Sequence, residues 1–149
     1  MRLAFYKGGK GIKGRKRFIT KLVQFFTRGI YAHVEIDFGK GYKQNCFSSS
    51  GMDKPRGVRF KKISFSHKER WDFIEIKRVN EIFLRKECKK YVGKKYDYRG
   101  VINFFWLKRK RHNPKRWFCS EICSHLLGIK PAQISPSKMY KIAKKMYNI

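Results

Sequence analysis

Four thiols and four imidazoles are the most reactive side chains of this 149-residue sequence: Cys46, Cys88, Cys119 and Cys123, and His33, His67, His112 and His125. A thiol becomes a nucleophile when its pKa is lowered, an imidazole can hold its proton, and a third group orients that imidazole. Cys119 is placed for such a role. In W-F-C-S-E-I-C-S-H-L-L-G (117–128), Cys119, Ile122, Cys123, Leu126 and Leu127 recur with helical spacing, so Cys119 falls at the helix start and Gly128 reads as its stop. The partial positive charge and the N–H groups of a helix N-terminus favour a thiolate and can hold a developing oxyanion. In Y-A-H-V-E-I-D-F (31–38), Ala32, Val34, Ile36 and Phe38 alternate with His33, Glu35 and Asp37. His33 and Glu35 therefore project from the same, polar face of a strand.

Nucleophile, base and orienting carboxylate are thus available in Cys119, His33 and Glu35. Each also has an ordinary reading. Cys119 lies on the apolar stripe of its helix, where a cysteine acts as a small hydrophobe. His33 and Glu35 fit a solvated strand face. Cys123, one turn deeper, reads as core. His125 is about 600° around the helix from Cys119 and points to its other side. His67 and His112 fall in polar segments. Cys119 and Cys123 are four apart rather than in a C-x-x-C pair, and no second close pair of ligands accompanies them, so no metal or other cofactor is expected.

The elements that must position these residues follow from the same patterning. R-L-A-F-Y (2–6) reads as a strand, and K-G-G-K-G-I-K-G-R-K-R (7–17) as a basic loop without the spacing of a phosphate-binding P-loop. Phe18, Leu22, Phe25 and Phe26 form a helical stripe in 18–29, with Gly29 as its stop. Strands are predicted over 31–38, 42–48, 57–65 and 71–79, the last with Phe73 or Ile74 facing the core. A helix over 79–92, with Ile82, Phe83, Cys88, Tyr91 and Val92 inward, ends at Gly93. The apolar V-I-N-F-F-W-L (101–107) and the basic loop 108–116 lead to the cysteine helix. Ser135 and Pro136 make an N-cap and first-turn pair for a final helix. A run of strands followed by helices points to α+β, in one domain spanning 1–149.

Lys and Arg number 38 against 10 Asp and Glu, a net charge of +28. The 16% aromatic content excludes a wholly disordered basic chain. No apolar run approaches the roughly 20 residues of a membrane-spanning helix. The start, M-R-L-A-F-Y-K-G-G-K, shows no secretory h-region, so reduced cysteines and a cytoplasmic or virion-associated location are expected. The charge calls for an anionic partner: nucleic acid, anionic lipid or wall polymer. The residues expected to bind it are Lys10, Lys13, Arg15, Lys16 and Arg17, together with Lys108, Arg109, Lys110 and Arg111. No zinc finger, RRM-type motif or helix-turn-helix accompanies the charge.

Several short motifs occur in order: Y-A-H-V-E-I (31–36), S-S-S-G (48–51), G-V-R-F (57–60), R-W-D-F (70–73), G-K-K-Y-D-Y-R-G (93–100) and W-F-C-S-E (117–121). Together they resemble the permuted branch of the NlpC/P60 papain-like superfamily over about Ile30 to Ile129. That branch includes small phage-encoded members, and its His-before-Cys order is shared by YiiX-like proteins and the lecithin:retinol acyltransferase group. The resemblance implies a papain-like core, with the cysteine helix packed on an antiparallel sheet or small barrel. It maps Cys119 onto the nucleophile, His33 onto the base and Glu35 onto the third residue of H-x-E. Asn45 and Ser48 are alternatives, because a neighbouring strand often supplies that group. Tyr96 and Ser48 are the expected substrate-binding residues, and Glu121 is expected to be structural. The implied activity is a cysteine hydrolase, an amidase or peptidase on cell-wall or other peptides, working through an acyl-enzyme. The alternatives are a thioesterase or acyltransferase at a membrane, or a non-enzymatic basic protein that is virion-associated or binds nucleic acid.

Overall fold

Residues 1–9, 13–105, 113–131 and 133–147 are described in the computed structural model of the chain. Its centre is built by rows of apolar side chains that meet across neighbouring strands. Strand β1 (Arg2–Tyr6) is followed by helix α1 (Gly14–Thr27), strands β2 (His33–Asp37), β3 (Cys46–Ser50) and β4 (Gly57–Lys61), a single 3-10 turn and strand β5 (Trp71–Glu75). The five strands form one antiparallel sheet in the order β4-β3-β2-β1-β5. Leu3 stands opposite Ile36 on one side and Ile74 on the other, and all three are buried. A slip of one residue would replace that row with Glu35 or Asp37, which pins the register.

The second half is helical. It runs through α2 (Glu81–Lys89), the two-residue strand β6 (Lys95–Tyr96), α3 (Tyr98–Phe105), the two-residue strand β7 (Arg116–Trp117), α4 (Cys119–Leu126) and α5 (Pro136–Met146). Helix α4 packs on β2 and β3, with Ile122 and Cys123 fully buried. Helix α5 starts where predicted, Ser135 accepting the Lys138 N–H at 3.2 Å with Pro136 in the first turn. Its Tyr140 meets Phe5 edge-on at 5.1 Å. The architecture is α+β. Among the described residues no helix is long and apolar enough to cross a membrane.

Several expectations are corrected. Gly14–Arg17 belong to α1 rather than to a loop, since Lys and Arg are good helix formers and here stay exposed. The stripe Phe18, Leu22 and Phe25 has helical spacing but faces outward. Helix α2 turns Leu84 and Cys88, one turn apart, toward the core and leaves Ile82 and Phe83 exposed, as is Val92 beyond its end. The strand predicted over 71–79 ends at Glu75, and Ile74 is the residue that faces the core. The parallel pair of β6 and β7, too short to show a period, was not legible in the sequence.

Candidate active site

The site forms where the sheet opens. The β2–β3 ladder pairs Ile36 with Phe47 and Asp37 with Cys46. Beyond it, hydroxyl groups replace backbone donors. Ser48 Oγ donates to the Val34 carbonyl at 2.7 Å, and Ser49 Oγ donates to the Trp117 carbonyl at 2.7 Å. The Trp117 carbonyl also accepts the Asp97 N–H at 3.2 Å, so the chain entering α4 is held from two directions. Phe118 is extended, and its N–H donates to Glu121 Oε2 at 3.4 Å. Cys119 is then the first residue of α4, and the next residue anchors the turn through Ser120 Oγ to the Ile134 carbonyl at 2.6 Å.

His33 Nε2 lies 2.7 Å from Glu35 Oε1. With that nitrogen engaged, Nδ1 is the ring nitrogen left for Cys119, whose charge acts on the imidazole. The backbone N–H groups of Val34 and Ser120 also favour the charged form of this thiol. Glu35 is wholly buried and is clamped by Arg59, whose Nη2 donates to Oε1 at 2.8 Å and Nη1 to Oε2 at 3.3 Å. Arg59 stands on β4 opposite Ser48 and reaches across β3 to make this contact. Its Nη2 also donates to Asp53 at 3.3 Å.

These contacts set the charges. Burial pushes the Cys119 thiol up, but the positive charge and hydrogen bond of His33, with the two backbone N–H groups, hold it below the ordinary thiol range. Burial pushes His33 down; the charge and hydrogen bond of Cys119, then those of Glu35, outweigh it and raise the imidazole to about 10. Burial likewise pushes Glu35 up, and the Arg59 guanidinium, aided by His33, holds its carboxyl below the usual range. Both shifts act in the direction of a thiolate–imidazolium pair, with a buried carboxylate behind it. The other thiols go the opposite way. Burial, with nearby carboxylates, raises Cys46; burial raises Cys88 to about 12; burial and the charge on Cys119 raise Cys123.

A cavity of about 420 Å³ ends at His33, Glu35 and Tyr96. Its other walls include Ile19, Leu22 and Val23 of α1 and Met52 beyond β3. His33 lines this cavity, whereas Cys119 is 6% exposed and is not among its lining residues. The β6–β7 pairing sets Tyr96 beside Trp117, two residues before Cys119. Burial, and then the charge on Cys119, raises the Tyr96 phenol. Gly51 lets the Tyr96 and Tyr98 rings approach the backbone, since a Cβ there would lie 2.9 Å from each ring. Tyr98 of the same G-K-K-Y-D-Y-R-G motif also lines the cavity, while Asp97 accepts the Gly100 N–H at 2.8 Å and caps α3, and the missing Gly100 side chain leaves room for its carboxylate.

Cys119, His33, Glu35 and Tyr96 thus come together. Ser48 does not line the cavity; its hydroxyl is turned into the gap between β2 and β3, where a main-chain carbonyl needs a donor. Asn45 bonds Asp37 and the backbone of Ile63, away from His33. Neither replaces Glu35. The face that alternation predicted to be solvated is covered, with Glu35 and Asp37 both buried. Glu121 holds the α4 entrance through Phe118 and Gln133. Arg59 was missed as a site residue. Its signal was a cation at a buried strand position between Val58 and Phe60. Lys13, Arg15, Lys16 and Arg17 are exposed at and just before the start of α1, whereas Lys10 and Lys108, Arg109, Lys110 and Arg111 lie outside the described residues. Among the described residues no cluster of three or more His, Cys, Asp or Glu is arranged to hold a metal ion. In comparisons with protein-family models, curated proteins and solved structures, nothing matches this chain.

Proposed function

We propose that the protein is a cysteine acyl-transfer enzyme of papain type, built on a permuted NlpC/P60-like core. The Cys119 thiolate attacks the carbonyl carbon of an acyl donor, and the N–H groups at the start of α4 face the oxygen that becomes negative. The His33 imidazolium gives its Nδ1 proton to the leaving group as the carbon–heteroatom bond breaks, which leaves a thioester on Cys119. Neutral His33 then takes a proton from water, the hydroxide attacks the thioester, and the acid product departs as the thiolate reforms. Glu35 keeps the ring in the orientation that serves both steps, and Arg59 holds Glu35.

The observation that carries this reading is the contrast among four buried thiols: Cys119 alone has its pKa driven down, by an imidazole that has a carboxylate 2.7 Å behind it. The bond cleaved by default is a peptide amide, with cell-wall peptide the substrate that the resemblance implies. A second reading, transfer from a thioester or lipid ester, is favoured by the apolar cavity walls of Ile19, Leu22, Val23 and Met52. The test is intact-protein mass spectrometry after incubation with peptide amides and with acyl thioesters. An adduct on Cys119 that is lost in Cys119→Ser is expected, and the donor that forms it identifies the bond. Equal labelling of Cys46, Cys88 and Cys123, or none at Cys119, would overturn the reading.

A further inference from the structure

Helix α1 has two dissimilar faces. At 100° per residue, Phe18, Leu22 and Phe25 fall within about 60° of one another. They are 66%, 40% and 76% exposed. Ile19, Thr20 and Val23, on the other side, line the cavity that includes His33, which Leu22 and Arg15 also reach from the edge of the outer face, and Thr20 is the one buried residue of the helix. Arg15 and Lys21 flank the outer stripe at about 60° to either side. Lys13, Arg17 and Arg28 carry the charge on to both ends, and all five cations are exposed. The 14 residues of the helix include no carboxylate. Among the described residues none of the five cations makes an ion pair.

Scattered apolar residues on a surface are ordinary. Three on one face, ringed by cations and free of carboxylates, form the pattern of a helix that lies in a membrane interface. Charge selects the occupant. A second copy of this chain would bring +28 against +28. Nucleic acid would satisfy the cations but give the phenyl rings of Phe18 and Phe25 no apolar phase. We propose that the outer face of α1 docks on an anionic lipid bilayer. Phe18, Leu22 and Phe25 enter the boundary between headgroups and acyl chains, and Arg15, Arg17 and Lys21 pair with lipid phosphates. The inner face of the same helix then sets the catalytic cavity about one helix diameter, ~10 Å, from the lipid surface.

The docking does not depend on the chemistry at Cys119, so the Cys119→Ser protein should bind as the wild type does. The test is co-sedimentation of the full chain with vesicles of phosphatidylcholine mixed with phosphatidylglycerol, with vesicles of phosphatidylcholine alone, and with duplex DNA as competitor. Binding to the mixed vesicles only, weakening as salt is raised, is expected. The double variant Phe18→Ser/Phe25→Ser keeps the charge and should bind about tenfold or more weakly. Circular dichroism and a thermal melt would show that its fold is kept. Arg15→Gln/Arg17→Gln/Lys21→Gln should weaken binding and flatten its salt dependence. Equal binding to neutral vesicles, mixed-vesicle binding unchanged in the serine variant, or binding to DNA alone would overturn the proposal, as would self-association through this face.

Discussion

Glu35 Oε1 accepts from His33 Nε2 at 2.7 Å and from Arg59 Nη2 at 2.8 Å. One oxygen thus links the imidazole that faces Cys119 to a guanidinium buried two strands away. A neutral pair would leave Arg59 without its main counter-charge, so the arrangement keeps Glu35 ionised and His33 oriented.

The pH dependence of thiol reactivity follows from the lowered Cys119 and the raised His33. Alkylation of the native protein by iodoacetamide should label one thiol quickly, with its midpoint well below the ~8.5 of an ordinary cysteine. The fast phase should vanish in Cys119→Ser. In His33→Ala it should move toward higher pH, because the largest opposing influence on the burial penalty is gone. A native midpoint at the ordinary value would show that the pair is not ionised.

Stability should depend on pH with opposite signs for Glu35 and His33. Glu35 has a lowered pKa, so its contribution is present above ~4.3 and is lost as pH falls through the folded value. His33 has a raised pKa, so its contribution is full below ~6.5 and is lost as pH rises through about 10. Glu35→Gln should destabilise by about 3–5 kcal/mol at neutral pH, since it breaks a buried pair. It should also flatten the acid limb of a plot of Tm against pH. Glu35→Gln/Arg59→Met should recover part of the loss. An acid limb unchanged in Glu35→Gln would place the titrating group elsewhere.

Ser48 offers a cleaner distinction between support and substrate contact. Ser48→Ala removes the donor to the Val34 carbonyl and should cost about 1–3 kcal/mol in denaturant unfolding. The KM for any acyl donor should not move. A raised KM with unchanged stability would return Ser48 to the substrate-binding residues.

Gly51→Ala should act through Tyr96. The added methyl group would press on the Tyr96 and Tyr98 rings at 2.9 Å, tighter than van der Waals contact. Displacing Tyr96 alters the wall next to Cys119, so the rate of Cys119 alkylation should change more than the melting temperature does. Unchanged labelling, read against wild type at one pH, would separate Tyr96 from access to the thiol.

Much of this molecule was legible in local pattern. Period two in 31–38 set His33 and Glu35 on one side of a strand, and period 3.6 in 117–128 set Cys119 at a helix start; both follow from backbone geometry within a few residues. Ser135 and Pro136 began α5 for the same reason. Tertiary structure decided what those faces meet. Alternation could not say that the polar side of β2 would be covered, because burial of Glu35 depends on Arg59, 24 residues away on β4. Nor could it separate Ser48 from Glu35 as the partner of His33, since that depends on where the β2–β3 ladder stops. The stripe of α1 was visible as helical, but whether it met the core or solvent rested on how many elements packed against it. A sequence carries the periods of its own elements, whereas register across strands, and the charge pairing it permits, arise only when distant segments share one sheet.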